Sequence, residues 1–149
     1  MTLVKSIMPS GVHPSTTILF IDHHDTDRQV WVQRLRICSS DYVVLEASTG
    51  KEGLAICRSQ RVECVISELT LPDMSGFEVL LNLVPKPCHP EVAFIFLTRL
   101  TLSPMKQLAL NNGAQAYVVK SHSSGDELDI TIQKALANVA PSRRQERRS

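Results

Sequence analysis

Five short apolar segments, each followed by a stretch of helical character, constrain the fold of this chain more than any other feature. The segments cover residues 17–21, 42–47, 63–67, 92–98 and 116–119. Their continuous runs of branched and aromatic residues are typical of strands that are buried on both faces. Strands that alternate with helices form a parallel sheet covered by helices on both sides. The sequence therefore predicts an α/β domain.

Polar residues indicate where the helices begin. Ser or Thr followed three residues later by Glu or Gln is the pattern of a capping box, and it occurs at Thr26–Gln29, Thr49–Glu52, Ser75–Glu78 and Ser124–Glu127. Ser103 before Pro104 indicates the start of the remaining helix, and Gly113 indicates its end. We expect the buried helix faces to include Val30, Trp31, Leu35, Leu81, Leu128, Ile130 and Ile132.

Composition narrows the class of protein. The chain has 149 residues, of which 43% are hydrophobic and 21% charged, which suits a soluble domain with one core. No apolar run reaches the roughly 18 residues of a membrane span, and no signal-peptide pattern is present. The four cysteines lack C-x-x-C spacing, which favours reduced thiols over a metal or redox site. We expect a cytoplasmic protein without membrane association.

The net charge of +1 hides an Arg-rich C-terminus. Residues 141–149 contain four Arg and one Glu, so the rest of the chain has 12 basic against 14 acidic residues. We interpret residues 1–15 as a flexible N-terminal arm, 16–140 as the folded domain and 141–149 as a disordered tail. Nucleic-acid binding through the tail is an alternative, but no recognition helix or interleaved aromatic residue accompanies it.

Residues at the C-terminal ends of the predicted strands would meet at one edge of the sheet. Asp22 and His23 follow the first strand, Glu68 follows the third, Thr98 ends the fourth and Lys120 follows the fifth. Carboxylate oxygens can bind a divalent cation, while hydroxyl and ammonium groups can hold phosphoryl oxygens. The sequence therefore predicts a pocket for a cation and a phosphoryl group at this edge.

These motifs resemble those of the receiver domains of bacterial response regulators (CheY-like domains), from about Thr17 to Val139. The matching segments are Ile21-Asp22, Glu68-x-x-x-Pro72-x-Met74-x-Gly76, Leu97-Thr98 and Gly113-Ala114-x-x-Tyr117-x-x-Lys120. The family has an acidic pair, a D-x-x-x-P-x-M-x-G loop, a strand-four hydroxyl and a G-A-x-x-aromatic-x-x-K run at these places. The resemblance implies a flavodoxin-like, doubly wound sheet with strand order 2-1-3-4-5.

Two departures from the family pattern decide the functional prediction. Glu68 stands where the family has a phospho-accepting aspartate, and His23 stands where it has a metal-binding acid. The extra methylene moves the carboxylate by on the order of 1.5 Å, a displacement that slows in-line phosphoryl transfer severely. Imidazole is a poor ligand for Mg²⁺. The two histidines are interpreted as partly exposed loop residues, and a soft-metal site formed by His23 and His24 with Asp22 and Glu68 is the alternative. We therefore expect no cofactor, with only weak Mg²⁺ binding by the family's ligand positions Asp22, Glu68 and Thr70.

The remaining motif residues keep their family identities. The resemblance implies that Thr98 and Tyr117 form a switch and that Lys120 contacts the phosphoryl group. The loop residues that it implies are Thr70, Pro72 and Gly76. We expect Glu68 to pair with Lys120 and to accept a hydrogen bond from Thr98, which would imitate the charge of a phosphorylated aspartate. Plain packing of Tyr117 and a plain salt bridge of Lys120 are the alternatives.

The resulting hypothesis is a stand-alone, atypical receiver domain of a two-component (phosphorelay) system that acts through protein–protein contacts. The expected contact face comprises the fourth helix, fifth strand and fifth helix, with Met105, Lys106, Leu110 and Tyr117. Its partner would be a histidine kinase, an output protein or a second copy of the chain. A phospho-accepting regulator that uses Glu68 or another acid, with weak Mg²⁺-dependent phosphorylation, is the main alternative. No nucleophile–base pair or Gly-rich phosphate loop is present, so we do not expect an enzyme.

Overall fold

A computed structural model describes residues 15–85, 91–101 and 103–139. Its elements are β1 (Thr16–Ile21), α1 (Asp25–Cys38), β2 (Tyr42–Ala47), α2 (Gly50–Ser59), β3 (Cys64–Ser67), α3 (Gly76–Leu83), β4 (Ala93–Thr98), α4 (Ser103–Asn111), β5 (Ala116–Val119) and α5 (Gly125–Ala137), with a 3₁₀ turn at Lys120–His122. The predicted arm, apart from Ser15, and the Arg-rich tail lie outside the described residues. Within those ranges, no helix has the length and apolar character needed to cross a membrane.

The sheet is parallel throughout, with the order β2-β1-β3-β4-β5. The predicted fold class and strand order are therefore confirmed. In the centre of the sheet, Ile21 pairs with Ser67, and the N–H of Glu68 donates a hydrogen bond to the carbonyl oxygen of Ile21 at 2.9 Å. The ladder thus continues past the end of β3, and this places Glu68 beside Asp22.

Two apolar layers enclose the sheet. Along β4, Ile95 and Leu97 face α1 and α5, whereas Phe94 and Phe96 face α2, α3 and α4. Both β3 and β4 are buried along their whole length, which accounts for their uninterrupted apolar sequences. The two layers hold the central strands rigidly, so the residues that follow those strands have a fixed position.

Capping residues at three helix starts behave as the sequence predicts. The hydroxyls of Thr49, Ser75 and Ser124 each accept a hydrogen bond from the backbone N–H three residues later. Only Ser124 and Glu127 complete the reciprocal capping box. In α2, the carboxylate of Glu52 instead accepts a hydrogen bond from the N–H of Ser48 at 2.6 Å.

The capping box predicted at Thr26–Gln29 is wrong. Helix α1 begins at Asp25, and His24 occupies the N-cap position without forming a side-chain cap. The reason is the tight turn after β1, in which Asp22 accepts a hydrogen bond from the N–H of His24 at 2.9 Å. This turn starts the helix two residues earlier than a cap at Thr26 would.

Three apolar residues expected in the core are exposed instead. Val30, Leu81 and Ile130 have relative exposures of 41%, 52% and 55%. In α5 the buried face contains Leu128 and Ile132, and Ile130, two residues from each, points to the opposite side of the helix. An apolar residue type alone therefore does not decide burial at these positions.

Helix α4 ends just before Gly113, as the sequence predicts. This glycine has a φ of 106°, which residues with a Cβ rarely adopt. The N–H groups of Gly113 and Ala114 donate hydrogen bonds to the carbonyls of Leu110 and Ala109 at 3.2 and 3.0 Å. This pair of bonds is a Schellman motif, and it turns the chain directly into β5.

Candidate functional site

Three side chains from separate strands meet at the C-terminal edge of the sheet. Lys120 Nζ lies 2.7 Å from Asp22 Oδ2 and 3.2 Å from Glu68 Oε2. All three side chains are at most 7% exposed. The ammonium group therefore bridges the two carboxylates in a buried setting, and the predicted pairing of Glu68 with Lys120 is present.

A third carboxylate, from α1, joins the same ammonium group. Asp27 Oδ2 lies 3.0 Å from Lys120 Nζ, and Arg99 holds Asp27 through Nε at 3.1 Å and Nη2 at 2.8 Å. Sequence reasoning missed both Asp27 and Arg99. Two signals in the sequence could have indicated them. Arg99 directly follows Thr98 at the end of a strand, and Asp27 lies in the first turn of α1.

The charges in this cluster stabilise one another. Burial by itself would raise the pKa of Asp27, but hydrogen bonds from Arg99 and Lys120 outweigh burial and hold that pKa below its usual value. Burial would lower the pKa of Lys120, but hydrogen bonds to Asp22 and Asp27 and the charge of Glu68 raise it. Asp27 and Lys120 are therefore held in their charged forms at neutral pH.

The predicted hydrogen bond from Thr98 to Glu68 is wrong. Glu68 Oε1 accepts a hydrogen bond from the N–H of Leu69 at 2.8 Å, and its other oxygen faces Lys120. Thr98, which is buried, accepts a hydrogen bond at Oγ1 from the N–H of Leu100 at 3.2 Å. The Thr98 hydroxyl thus caps the turn after β4, and the Glu68 carboxylate is satisfied by Lys120 and its own backbone.

The two residues of the predicted switch converge on Leu100. Thr98 binds the N–H of Leu100, and the phenol of Tyr117 donates a hydrogen bond to the Leu100 carbonyl at 2.8 Å. The ring of Tyr117 is half-buried, with its centroid 6.4 Å from that of Phe96. Burial and the nearby charge of Glu68 raise the pKa of Tyr117. Both side chains therefore hold the loop that leads into α4.

The turn after β1 contains two histidines whose rings are in contact and tilted by 40° relative to each other. The ring centroids of His23 and His24 are 3.9 Å apart. His24 Nδ1 lies 3.3 Å from Asp22 Oδ1, whereas His23 Nδ1 is buried without a hydrogen-bond partner in the described part of the chain. Arg28, which sequence reasoning also missed, donates a hydrogen bond to the Asp22 carbonyl at 2.5 Å and holds the turn against α1.

The loop after Glu68 is closed tightly on itself. Thr70 forms an isolated antiparallel bridge with Ser75, and the N–H of Gly76 donates a hydrogen bond to the Leu69 carbonyl at 2.6 Å. Thr70 and Pro72 are exposed, and Gly76 is buried. A Cβ at Gly76 would lie 2.4 Å from the backbone oxygen of Glu68, so only glycine permits this close approach.

Asp73 fastens the loop to a neighbouring helix, a contact that sequence reasoning missed. Its two carboxylate oxygens accept hydrogen bonds from the N–H groups of Gly50 and Lys51, each at 2.9 Å. These donors belong to the first turn of α2, where backbone N–H groups lack helical partners. Slight burial would raise the pKa of Asp73, but these backbone hydrogen bonds lower it.

Comparison with known proteins places these residues in a family. The family model for the response regulator receiver domain matches residues 18–133. A receiver domain from Clostridium thermocellum is 30% identical, with a TM-score of 0.72, over 82% of this chain and 94% of that one. The chemotaxis response regulator CheY4 of Vibrio cholerae is 26% identical, with a TM-score of 0.70, over 81% of this chain and 98% of that one.

Full-length relatives extend beyond this region. The response regulator VraR of Staphylococcus aureus is 28% identical over 75% of this chain and 53% of its own length. The Arabidopsis thaliana two-component response regulator ARR7 is 23% identical over 72% of this chain and 56% of its own length. The chain thus spans about half the length of these curated relatives. From the family match, the shared fold and the strand-end residues together, we conclude that the chain belongs to the response regulator receiver domain family.

Proposed function

We propose that this receiver domain acts in two-component signalling through protein–protein contacts, without accepting a phosphoryl group at Glu68. The bridge from Lys120 to Glu68 carries the proposal. A carboxylate that attacks a phosphoryl donor needs a free oxygen with space for in-line approach. In Glu68, one oxygen faces a buried ammonium group and the other binds the N–H of Leu69.

The arrangement of donors also argues against tight binding of Mg²⁺. Asp22 binds Lys120 through one oxygen and the N–H of His24 through the other. Thr70 lies exposed in the loop, and His23 offers nitrogen where Mg²⁺ prefers oxygen. Because the ammonium group of Lys120 lies between Asp22 Oδ2 and Glu68 Oε2, a hard dication held by those two oxygens would have to displace it. The charge that Mg²⁺ would supply is thus provided by Lys120.

The proposed contact surface is the face formed by α4, β5 and α5. It displays apolar side chains, with Leu108 at 48% and Leu110 at 37% exposure, beside the half-buried Met105 and Tyr117. Scattered exposed leucines are ordinary, but Met105 and Leu108 are three residues apart and lie on the same side of α4, and an apolar pair of this kind favours a docking role. A histidine kinase, an output protein or a second copy of the chain would bind here, and we propose no enzymatic activity for the domain itself.

Incubation with Mg²⁺ and acetyl phosphate tests the absence of phosphotransfer. We expect intact mass to show no phospho-adduct, and we expect beryllofluoride to leave the amide NMR signals around Thr98 and Lys120 in place. A stoichiometric adduct or a shift across the site would overturn the proposal.

A double variant supplies the matched control. Replacing His23→Asp together with Glu68→Asp restores the family's acids, so we expect Mg²⁺-dependent phosphorylation to appear. The two single variants should each gain less than the double variant. If the double variant also stays unmodified while its NMR spectrum shows a folded domain, the account based on these two positions is wrong.

A further inference from the structure

We propose that Asp22, His23 and His24 form a binding site for a transition-metal ion of the Zn²⁺ class. One carboxylate oxygen and one ring nitrogen from each histidine lie within 4.8 Å of one another. The three residues are consecutive and occupy the turn between β1 and α1. A site with three protein ligands would leave the remaining coordination position of the ion to water.

An unsatisfied nitrogen supports the site independently of the clustering. His23 Nδ1 is buried and has no hydrogen-bond partner among the described residues. Buried polar atoms are almost always satisfied, so such an atom needs an explanation. Coordination of a metal ion through this nitrogen would satisfy its lone pair.

The distance between the Asp22 and His24 ligand atoms is close to what a metal requires. His24 Nδ1 lies 3.3 Å from Asp22 Oδ1, and a tetrahedral ion with bonds of about 2.1 Å separates its ligands by about 3.4 Å. Asp22 Oδ1 accepts one hydrogen bond, from the N–H of His24, and so retains a lone pair for an ion. Lys120 binds the other oxygen, Oδ2, and need not be displaced.

Charge and access also favour a cation at this turn. The charged cluster that includes Asp22 contains three carboxylates against the cations Lys120 and Arg99. Arg28 also lies against the turn, but its guanidinium group binds the Asp22 carbonyl and pairs with Asp25 and Glu46. The His24 side chain is 44% exposed, which gives an ion a route from solvent.

The ligand chemistry distinguishes this site from the magnesium position of the family. Imidazole nitrogen suits Zn²⁺, Cu²⁺ and Ni²⁺, whereas Mg²⁺ prefers oxygen. The three ligands do not include Glu68, so the proposed site does not rest on the proposed absence of phosphorylation.

Calorimetric titration of the reduced full chain with Zn²⁺ alone tests the site. We expect one ion per chain at this site, and His23→Ala or His24→Ala should weaken its binding by at least about 10-fold. His122→Ala removes an exposed histidine outside the turn and is the matched control that should leave the affinity unchanged. An excess of Mg²⁺ should not displace the ion. Equal affinity in the wild type, His23→Ala and His24→Ala would overturn the proposal.

Two spectroscopic measurements on the wild-type chain keep the test decisive if a variant does not fold. Titration with Co²⁺ should give an absorption spectrum without a thiolate-to-metal charge-transfer band, since no cysteine is a ligand. The ring nitrogen signals of His23 and His24 should shift on addition of Zn²⁺, and that of His122 should not. A thiolate band, or unshifted signals of His23 and His24, would contradict the assignment.

Discussion

Lys120 Nζ lies 2.7 Å from Asp22 Oδ2, although 98 positions separate the two residues in the sequence. They follow β5 and β1, which are not neighbours, since β3 and β4 lie between them. The lysine side chain thus passes over the end of β4 to reach the carboxylates of the central strands. One amine therefore links the edge of the sheet to its centre.

Removing the Lys120 ammonium should destabilise the domain severely. Lys120→Met leaves three carboxylates without their common cation, and breaking a buried ion pair costs about 3–5 kcal/mol. Urea denaturation at pH 7 should show a loss of this size. Lys134→Met, at an exposed position on α5, is the control and should change the unfolding free energy by less than about 0.5 kcal/mol. Equal losses in the two variants would show that the bridge contributes no stability.

Two glycines at corresponding helix starts should respond differently to alanine. A Cβ at Gly76 would lie 2.4 Å from the backbone oxygen of Glu68 and 2.8 Å from the Phe96 ring, whereas one at Gly50 would meet only the flexible side chain of Met74. We expect Gly76→Ala to cost about 1–3 kcal/mol because the backbone has to move, and Gly50→Ala to cost less. Thermal denaturation measures both, and a larger loss in Gly50→Ala would contradict this account.

The carboxylate of Asp73 should make stability depend on pH. Asp73→Asn weakens the cap on α2 and should cost about 1 kcal/mol at pH 7. Because the folded-state pKa of Asp73 is lowered, its contribution is complete above the unfolded pKa of about 3.9 and is lost as the pH falls through the folded pKa. The difference between wild type and variant should therefore shrink in acid, as measured by urea midpoints at several pH values. If the stability difference between wild type and Asp73→Asn instead grows as the pH falls, the prediction is wrong.

Two tyrosines provide a comparison of hydrogen bonds. The phenol of Tyr42 binds the carboxylate of Asp129 and accepts a hydrogen bond from Gln133 at 2.5 Å, which joins β2 to α5. Tyr117 binds one neutral carbonyl at a more exposed position. Bonds to charged groups contribute more, so Tyr42→Phe should cost about 1.5–3 kcal/mol and Tyr117→Phe about 0.5–1.5 kcal/mol. Chemical denaturation of both variants measures the two losses in unfolding free energy. A larger loss in Tyr117→Phe than in Tyr42→Phe would contradict this prediction.

The order of strands and helices could be predicted because it depends on local patterns. The run Ala93–Thr98 is apolar throughout and is buried throughout, and Ser124 with Glu127 caps a helix as their spacing indicates. The pairing of Glu68 with Lys120 was also predictable, because parallel strands bring their C-terminal ends together. In these cases the residue type and its place in the chain were sufficient to predict the structure.

Side-chain partners within the site depend on geometry that spacing does not encode. Thr98 was expected to bind Glu68, but the turn after β4 presents the N–H of Leu100 to its hydroxyl instead. Asp27 lies in the sequence like any acidic residue of a first helical turn, and Arg99 like any exposed loop cation. Their contact exists only because α1 packs beside the end of β4, a tertiary relationship that the local pattern leaves undetermined.

The long sequence separation in the lysine bridge has a consequence for synthesis of the protein. A chain that is still emerging from the ribosome contains Asp22, Asp27 and Glu68 well before Lys120. Until β5 is added, these three acidic groups would repel one another at the edge of the sheet, with partial compensation from the nearby Arg28 and Arg99. The domain therefore cannot fold stably until Lys120 has been synthesised. A nascent chain that lacks this residue would stay accessible to chaperones and proteases.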